Sequence, residues 1–493
     1  MRSTQGAEGA RPAGRVRPVT AVLAGLLLLG ACSGQGGGGD DGTRRATAAP
    51  GELRPGPARP ASGKPARSTS PDPGDFNGDG YDDVAYASHG NVAVVYGSAR
   101  GADPDARTTV RIGGPAEQKN GLPTTTLLHR ADLDRDGFTD LVVTRGDGRQ
   151  YALWGGARGI TGVRHLATGS RMVGDLEGGA ADFGSVGDFD GDGSGDVFRL
   201  GAPGTSTGTV YFGPFDRAGA ASRTAEPAGK LPSESMPYRS GSGDFDGDGR
   251  DELTVWFRWT DPDSEGDGIT DLRGVHHFRG GVSGPVLAAT PAPSDEAAVR
   301  ALTGVPADVD GDGDDELVRT RFIGYGTRLT VFVNRAPGEG QPAEVTFTDP
   351  PGLDGDRPQY GGSKGVAVGD VTGDGRPDLV VSTPVANDHH GVVYIAPDAA
   401  RLDSGTRLQA VSLESPGVPG VSNDPGGGNK QYVRHRLASR PPLLDVNGDG
   451  LLDVVAASDN LARRTGFWVL PGSPDGLDTR ASRHVTEEDL GFG

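Results

Sequence analysis

Asp188-Phe-Asp190-Gly-Asp192-Gly193-Ser194-Gly-Asp196-Val197 carries oxygen side chains at its first, third, fifth and ninth positions and glycine at its sixth. Alternating acidic residues in a tight turn bring several oxygens to one point, and Ca²⁺ takes about six to eight of them. Gly193 supplies the positive φ that such a turn needs. The seventh residue, Ser194, would add its backbone carbonyl.

The same phase occurs six more times. The first copy supplies Asp75, Asn77, Asp79, Tyr81 and Asp83, and the second Asp132, Asp134, Asp136, Phe138 and Asp140. Beyond the quoted stretch come Asp244, Asp246, Asp248, Arg250 and Glu252, then Asp308, Asp310, Asp312, Asp314 and Glu316. The last two copies are Asp370, Thr372, Asp374, Arg376 and Asp378, and Asp445, Asn447, Asp449, Leu451 and Asp453. An EF-hand would need a bidentate Glu at position twelve. Tyr86, Val143, Arg199, Val255, Arg319, Val381 and Ala456 stand there instead. The acidic ninth residue must close the site. The tenth is always apolar and opens runs such as DLVVT and DVVAA, which read as strands. Each loop therefore joins strand to strand.

Successive loops begin 57, 56, 56, 64, 62 and 75 residues apart. Each period holds about four short strands, the size of one propeller blade. The expected fold is all-β: a seven-bladed β-propeller over 73–493. Third strands are legible in most periods, and Tyr96, Trp154, Phe212, Phe332, Tyr394 and Trp468 recur near one position in them. Packing between blades is the expected role, with stacking on a sugar as the alternative for one or two.

The stretch FGSVGDFDGDGSGDVFRLGAP (183–203) resembles the FG-GAP (VCBS-type) repeat of integrin α-subunit propellers and of many bacterial surface proteins. The resemblance covers about 75 to 493. It implies Ca²⁺ in the loop between the first two strands of a blade, in agreement with the placement argued from the residues. Several blades lack the FG and GAP tripeptides, as in PLLDV at the last loop.

The N-terminus reads as an address. Arg11, Arg15 and Arg17 precede a short apolar run, Val22 to Leu29, and then Leu29-Gly30-Ala31-Cys32. This is similar to a bacterial lipoprotein signal, which implies a signal peptide over 1–31 and acylation of Cys32, the single cysteine of the chain. Residues 32–72 are rich in Gly, Pro, Ala and Ser and read as a disordered tether. The expected location is the outer face of the cell membrane, through a lipid anchor, as a monomer.

The formal charge is −19. Twenty-five of the loop side chains at positions one, three, five and nine are carboxylates, so the acidity belongs mostly to these sites. About seven structural Ca²⁺ ions would bring the chain to an ordinary surface charge. Nothing basic and continuous is available to meet phosphates, which disfavours nucleic acid.

The ends of the repeat array raise the question of closure. PDPGDF gives the first loop no good preceding strand, and the C-terminal EDLGFG resembles the start of another repeat. The tail is expected to supply the outer or first strand missing from blade one, and deleting 485–493 to lower the melting temperature. An extra acidic stretch, Asp263 to Leu272, is expected on a hairpin inserted in blade four.

Other chemistry is weaker. Gly-x-Ser-x-Gly at Gly204–Gly208 and Gly361–Gly365 lacks a strand-to-helix context. His276–His277 and His389–His390 lack metalloprotease spacing and read as surface or loop residues. Arg145-Gly146-Asp147 reads as a chance tripeptide. Of Trp256 and Trp259, at least one is expected in the core. The function expected is binding, adhesion or scaffolding toward an unknown protein or glycan. The alternatives are a lectin-like propeller or, less favoured, a polysaccharide lyase or esterase on the same frame.

Overall fold

The computed structural model describes residues 51–64, 73–88, 90–113, 127–145, 148–169, 184–201, 207–229, 235–260, 269–289, 304–323, 328–335, 342–351, 365–383, 392–419, 442–457 and 466–492. The chain divides into two units, Met1–Thr47 and Ala48–Gly493, and the described residues belong to the second. That second unit is a seven-bladed β-propeller of antiparallel four-stranded sheets.

Blade two shows the plan. Leu127–Ala131 leads into the acidic loop, and Asp140–Thr144, Gln150–Trp154 and Gly162–His165 follow in spatial order. Blade three repeats it from Gly184–Gly187 to Arg223–Ala225, and blade four from Ser235–Gly243 to Val286–Ala289. Blade five runs from Val305–Ala307 to Ala343–Thr348, blade six from Val366–Gly369 to Gln409–Val411, and blade seven from Leu443–Leu444 to Arg483–Val485. A short ribbon, Gly472–Ser473 with Gly476–Leu477, decorates blade seven.

The second strands are buried along their whole length in blades two and three, because both faces of a blade lie against neighbouring sheets. Apolar clusters fill the spaces between blades. Phe76, Val94 and Tyr96 pack with Leu141, Tyr151 and Leu153 at the first joint. Phe189, Phe198 and Phe212 pack with Leu253, Val255 and Phe278 between blades three and four. The expected interblade aromatics are here: Tyr96, Phe212, Tyr394 and Trp468 are fully buried and Trp154 is 2% exposed. Phe332 is half-buried, with the Arg319 guanidinium 4.2 Å from its ring. Trp256 is in the core; the side chain of Trp259 lies outside the described residues.

Backbone hydrogen bonds stitch the joints near the acidic loops. In five loops the eighth residue donates its N–H to the carbonyl of the first residue in the preceding blade's loop, and between blades one and two Gly156 donates instead to Phe76 (3.0 Å). Gly195 donates to Asp132 (2.8 Å), Asp251 to Asp188 (2.9 Å), Asp315 to Asp244 (2.6 Å), Leu452 to Asp370 (3.0 Å) and Asp82 to Asp445 (2.9 Å). The last of these closes the ring between blades seven and one. In blade six the position is Pro377, which has no N–H to give.

Closure differs from the sequence expectation. Among the described residues no strand pairs with Val84–Ser88 on the side away from Asn91–Val95, and the C-terminal tail does not supply one. The fourth strand of blade one's sheet is Arg54–Pro55, antiparallel to Arg107–Arg111. The tail folds instead as a turn. Asp489 accepts hydrogen bonds from the N–H and hydroxyl of Thr486, and the Thr486 hydroxyl accepts from the Asp489 N–H. Leu490 then drops into the cluster of Val84, Tyr86, Leu444, Phe467 and Val485. Glu487 accepts from Tyr86 Oη (3.1 Å) and from Ser88 Oγ. A reciprocal Thr–Asp cap favours a turn over the extended chain that pairing needs.

The boundary expected at 72 also moves. Residues 51–64 lie along blade one: Gly51, Gly56 and Ala58 donate to the carbonyls of Arg111, Arg107 and Asp105, and Lys64 donates to Gly78. Proline is tolerated on such a sheet edge, so composition hid the pairing.

The hairpin expected in blade four is present, formed by Glu252–Thr260 and Ile269–Arg279. His276 and His277 sit on it as buried strand residues, 1% and 7% exposed, rather than on the surface or in a loop. His276 stacks on Phe257 with 4.1 Å between centroids. Cys32, residues 263–268, Ser206, Ser363, Gly146, Asp147 and His389–His390 lie outside the described residues. No helix among the described residues is long and apolar enough to cross a membrane.

Candidate metal centres

All seven acidic loops are built alike. The N–H of the sixth residue donates to Oδ2 of the first in every copy, from Gly80 to Asp75 (2.9 Å) through Gly193 to Asp188 (2.8 Å) to Gly450 to Asp445 (3.0 Å). The N–H of the seventh donates to the carboxylate of the fifth, as Phe138 does to Asp136 (3.0 Å) and Leu451 to Asp449 (3.0 Å). The N–H of the second donates to the ninth, as in Phe189 to Asp196 (2.9 Å). Asp192 Oδ1 also accepts from the Ser194 hydroxyl and Asp378 Oδ2 from the Thr372 N–H (2.8 Å), while each carboxylate has a second oxygen with lone pairs of its own.

Glycine at the sixth position has φ between 81° and 99° in all seven loops. At Gly193 nothing lies within 4 Å of where a Cβ would stand, so conformation alone selects glycine there. The fourth position is left-handed too, with glycine in six loops and Arg135 (φ 60°) in the other. Sequence reading passed over this second requirement, although the glycines at position four carry its signal.

The ninth carboxylate is the most deeply set. Asp83, Asp140, Asp196, Asp378 and Asp453 are buried, as are Glu252 and Glu316. Asp196 also accepts from Gly213 N (2.8 Å) and Asp140 from Gly155 N (2.7 Å), which pins the loop to the third strand. Burial, opposed by these hydrogen bonds and reinforced by neighbouring carboxylates, pushes Asp140 and Asp196 up to about 8 and Glu252, Glu316 and Asp453 up to about 7. A divalent cation among them would reverse that cost.

The donor set fits such an ion. In blades two to five, three carboxylates of one loop place an oxygen each within 4.8 Å of one another: Asp132, Asp134 and Asp136; Asp188, Asp190 and Asp196; Asp244, Asp246 and Asp248; Asp308, Asp310 and Glu316. Asp134 Oδ1 is buried without a hydrogen-bond partner, on a side chain only 8% exposed. A charged oxygen is expensive to leave so, unless it is a ligand. In blades one, six and seven the third residue is Asn77, Thr372 or Asn447.

Arginines reach several loops. Arg217 pairs with Asp134 and Asp136, Arg223 with Asp190, Arg335 with Asp310, and Arg250 with Asp248. Sequence reading missed these contacts because Arg217, Arg223 and Arg335 lie well outside the loop motif.

No curated protein is significantly similar to the chain. Among solved structures, a lectin of Agrocybe aegerita that recognises non-reducing terminal N-acetylglucosamine is 16% identical, over 85% of this chain and 93% of that one, with a TM-score of 0.45. AofleA from Arthrobotrys oligospora is 10% identical over 80% and 94% (TM-score 0.37), and the rhamnogalacturonan lyase YesW is 12% identical over 85% and 69% (TM-score 0.30). Residues 308–381, which hold the fifth and sixth loops, match the family described as an FG-GAP-like repeat, so the chain carries that repeat within a seven-bladed propeller.

Proposed function

We propose that this chain is a Ca²⁺-braced propeller acting as a binding, adhesion or scaffold module outside the cytoplasm, held to the membrane by an acylated Cys32. The observation that carries the metal reading is the buried, unpartnered Asp134 Oδ1 within a three-carboxylate cluster. The common hydrogen-bond pattern of the loops extends the reading to all seven. The first, third, fifth and ninth side chains and the seventh carbonyl would hold the ion. Bound Ca²⁺ supplies positive charge that lets clustered carboxylates stay ionised in a buried turn. The loops themselves orient those oxygens and fix the start of each second strand.

The interblade aromatics are used up in packing, so the sugar-stacking role weighed for them has no free ring face at Tyr96, Phe212, Tyr394 or Trp468. That favours a surface formed by loops, toward a protein or cell-wall glycan. Loops of this ligand type outside cells bind Ca²⁺ at about 10⁻⁴–10⁻³ M. At tenfold excess over Kd each ion adds about 1.4 kcal/mol, and seven add about 10 kcal/mol.

The test is a melt of the purified chain in 10 mM Ca²⁺ and in EDTA, with metal content measured on the calcium-equilibrated sample. The expected result is several ions per chain and a large fall in melting temperature in chelator. Superimposable melts with no bound metal would end the calcium reading. Labelling with a radioactive fatty acid, lost in Cys32→Ala, tests the anchor.

A further inference from the structure

The loops do not carry equal numbers of carboxylates at positions one, three, five and nine. Blades one, six and seven have three, and blades two to five have four. Among the described residues an arginine pairs with a ligand carboxylate in each four-carboxylate loop and in none of the three-carboxylate loops. We propose that Arg217, Arg223, Arg250 and Arg335 are positioning residues that bring every ligand set to the same net charge of −3, and so match the cation affinities of the seven loops. The proposal rests on the calcium reading above and concerns how that site is tuned.

The arginines are held from more than one side. Arg217 reaches from blade three back to blade two, with its guanidinium 5.3 Å from the centre of the Trp154 ring. Its Nε pairs with Asp134 Oδ2 and its Nη2 lies 2.5 Å from Asp136 Oδ2. It thereby occupies the outer oxygen of Asp134 and leaves Oδ1, buried and unpartnered, for the ion. Arg223 lies 3.4 Å over the Phe212 ring, donates to the Val282 carbonyl (2.9 Å) and pairs with Asp190 Oδ2 (2.6 Å). Arg335 pairs with Asp310 Oδ2 and donates to the Ala400 carbonyl (2.9 Å). In blade four the arginine belongs to the loop itself: Arg250 Nη1 is 2.8 Å from Asp248 Oδ2. Arg135 also stands 3.9 Å from Asp192, but it is more than half exposed and solvent screens it, so it adds little to the charge of that loop.

Ligand charge is what tunes oxygen cages of this kind. A fourth carboxylate without compensation would make one loop bind tighter than its neighbours, and a guanidinium on that carboxylate opposes the ion by direct repulsion. A ring whose sites share one affinity fills and empties over one narrow range of calcium.

The experiment is a calcium titration by calorimetry on the chelator-stripped full chain. It compares the wild type with Arg217→Ala, Arg217→Lys and the triple change Arg217→Ala, Arg223→Ala, Arg335→Ala. The wild type should titrate as one class of sites. Arg217→Ala should split off one site that is about tenfold tighter, and the triple variant three. Arg217→Lys should keep the wild-type isotherm, and 0.5 M salt should shrink the split. In EDTA the melt of Arg217→Ala should fall below wild type, because four carboxylates then face one another uncompensated. An unchanged or weakened site in Arg217→Ala that still folds and binds calcium overturns the proposal. A wild type that takes up no calcium fails the calcium reading instead, before any variant is compared.

Discussion

Leu490→Ala tests whether the C-terminal turn locks the ring. Leu490 is 1% exposed, in the cluster that joins blade seven to blade one. Truncating a buried leucine in a packed cluster costs about 3 kcal/mol, from lost burial plus the cavity left behind. The backbone of the turn keeps its Thr486–Asp489 cap, so the change leaves chain entropy nearly untouched. If the whole propeller melts as one unit of about 440 residues, the entropy of unfolding is near 0.9 kcal/mol/K and the shift is about 3 °C. If the joint between blades seven and one opens first, calorimetry gains an early shoulder, and amide exchange accelerates in Val84–Ser88 and Phe467–Leu470. Val282→Ala, at a side chain 74% exposed, is the control that should leave both readouts alone. A Leu490→Ala protein with wild-type melting and wild-type exchange at those strands would refute the claim that the tail holds the joint.

Gly193→Ala should cost about 1–2 kcal/mol through its φ of 84° alone, since the space is open, and a urea melt within error of wild type would contradict the left-handed requirement. Asp196→Asn should cost about 1–3 kcal/mol in EDTA near pH 7, because Asp196 accepts the Phe189 and Gly213 N–H groups on its two oxygens and the amide NH2 can accept neither. In calcium the same variant should bind one ion fewer, and an undiminished stoichiometry would remove Asp196 from the ligand set. Burial pushes His276 and His277 down to about 4 from 6.5, so the folded chain resists protons that the unfolded chain takes up. Their contribution is complete above about pH 6.5 and is lost as pH falls toward 4, about 3 kcal/mol for each imidazole. His276→Phe should flatten the fall of stability between pH 7 and pH 4.5, and parallel slopes would show that the imidazole is not the titrating group.

The seven loops and seven blades were legible because one spacing of oxygens recurs, and each recurrence abuts an apolar tenth residue that must start a strand. The inserted hairpin of blade four was legible for the same reason. Residues 51–64 were not, since a proline-tolerant edge strand needs backbone groups rather than an apolar period. His276 and His277 were misplaced because two polar residues look like a loop until Phe257 and Thr254 are set beside them. The tail was misread because Phe492 and the glycines around it imitate the opening of a repeat, whereas Thr486 and Asp489 bend the chain first. The arginine partners were invisible because Arg217 and Asp134 are 83 positions apart and only the ring brings them together.

Pro377 gives the ring a place to yield. Where the other joints carry a backbone tie to the preceding loop, the joint between blades five and six has apolar side chains, among them Val309, Val331, Leu379 and Tyr394, and among the described residues only side-chain donors cross it, Arg335 to the Ala400 carbonyl and Tyr394 to the Pro351 carbonyl. Apolar contacts have no preferred direction, so two sheets joined by them slide before they part, while hydrogen-bonded sheets snap. Under mechanical load this joint would creep first and spare the others.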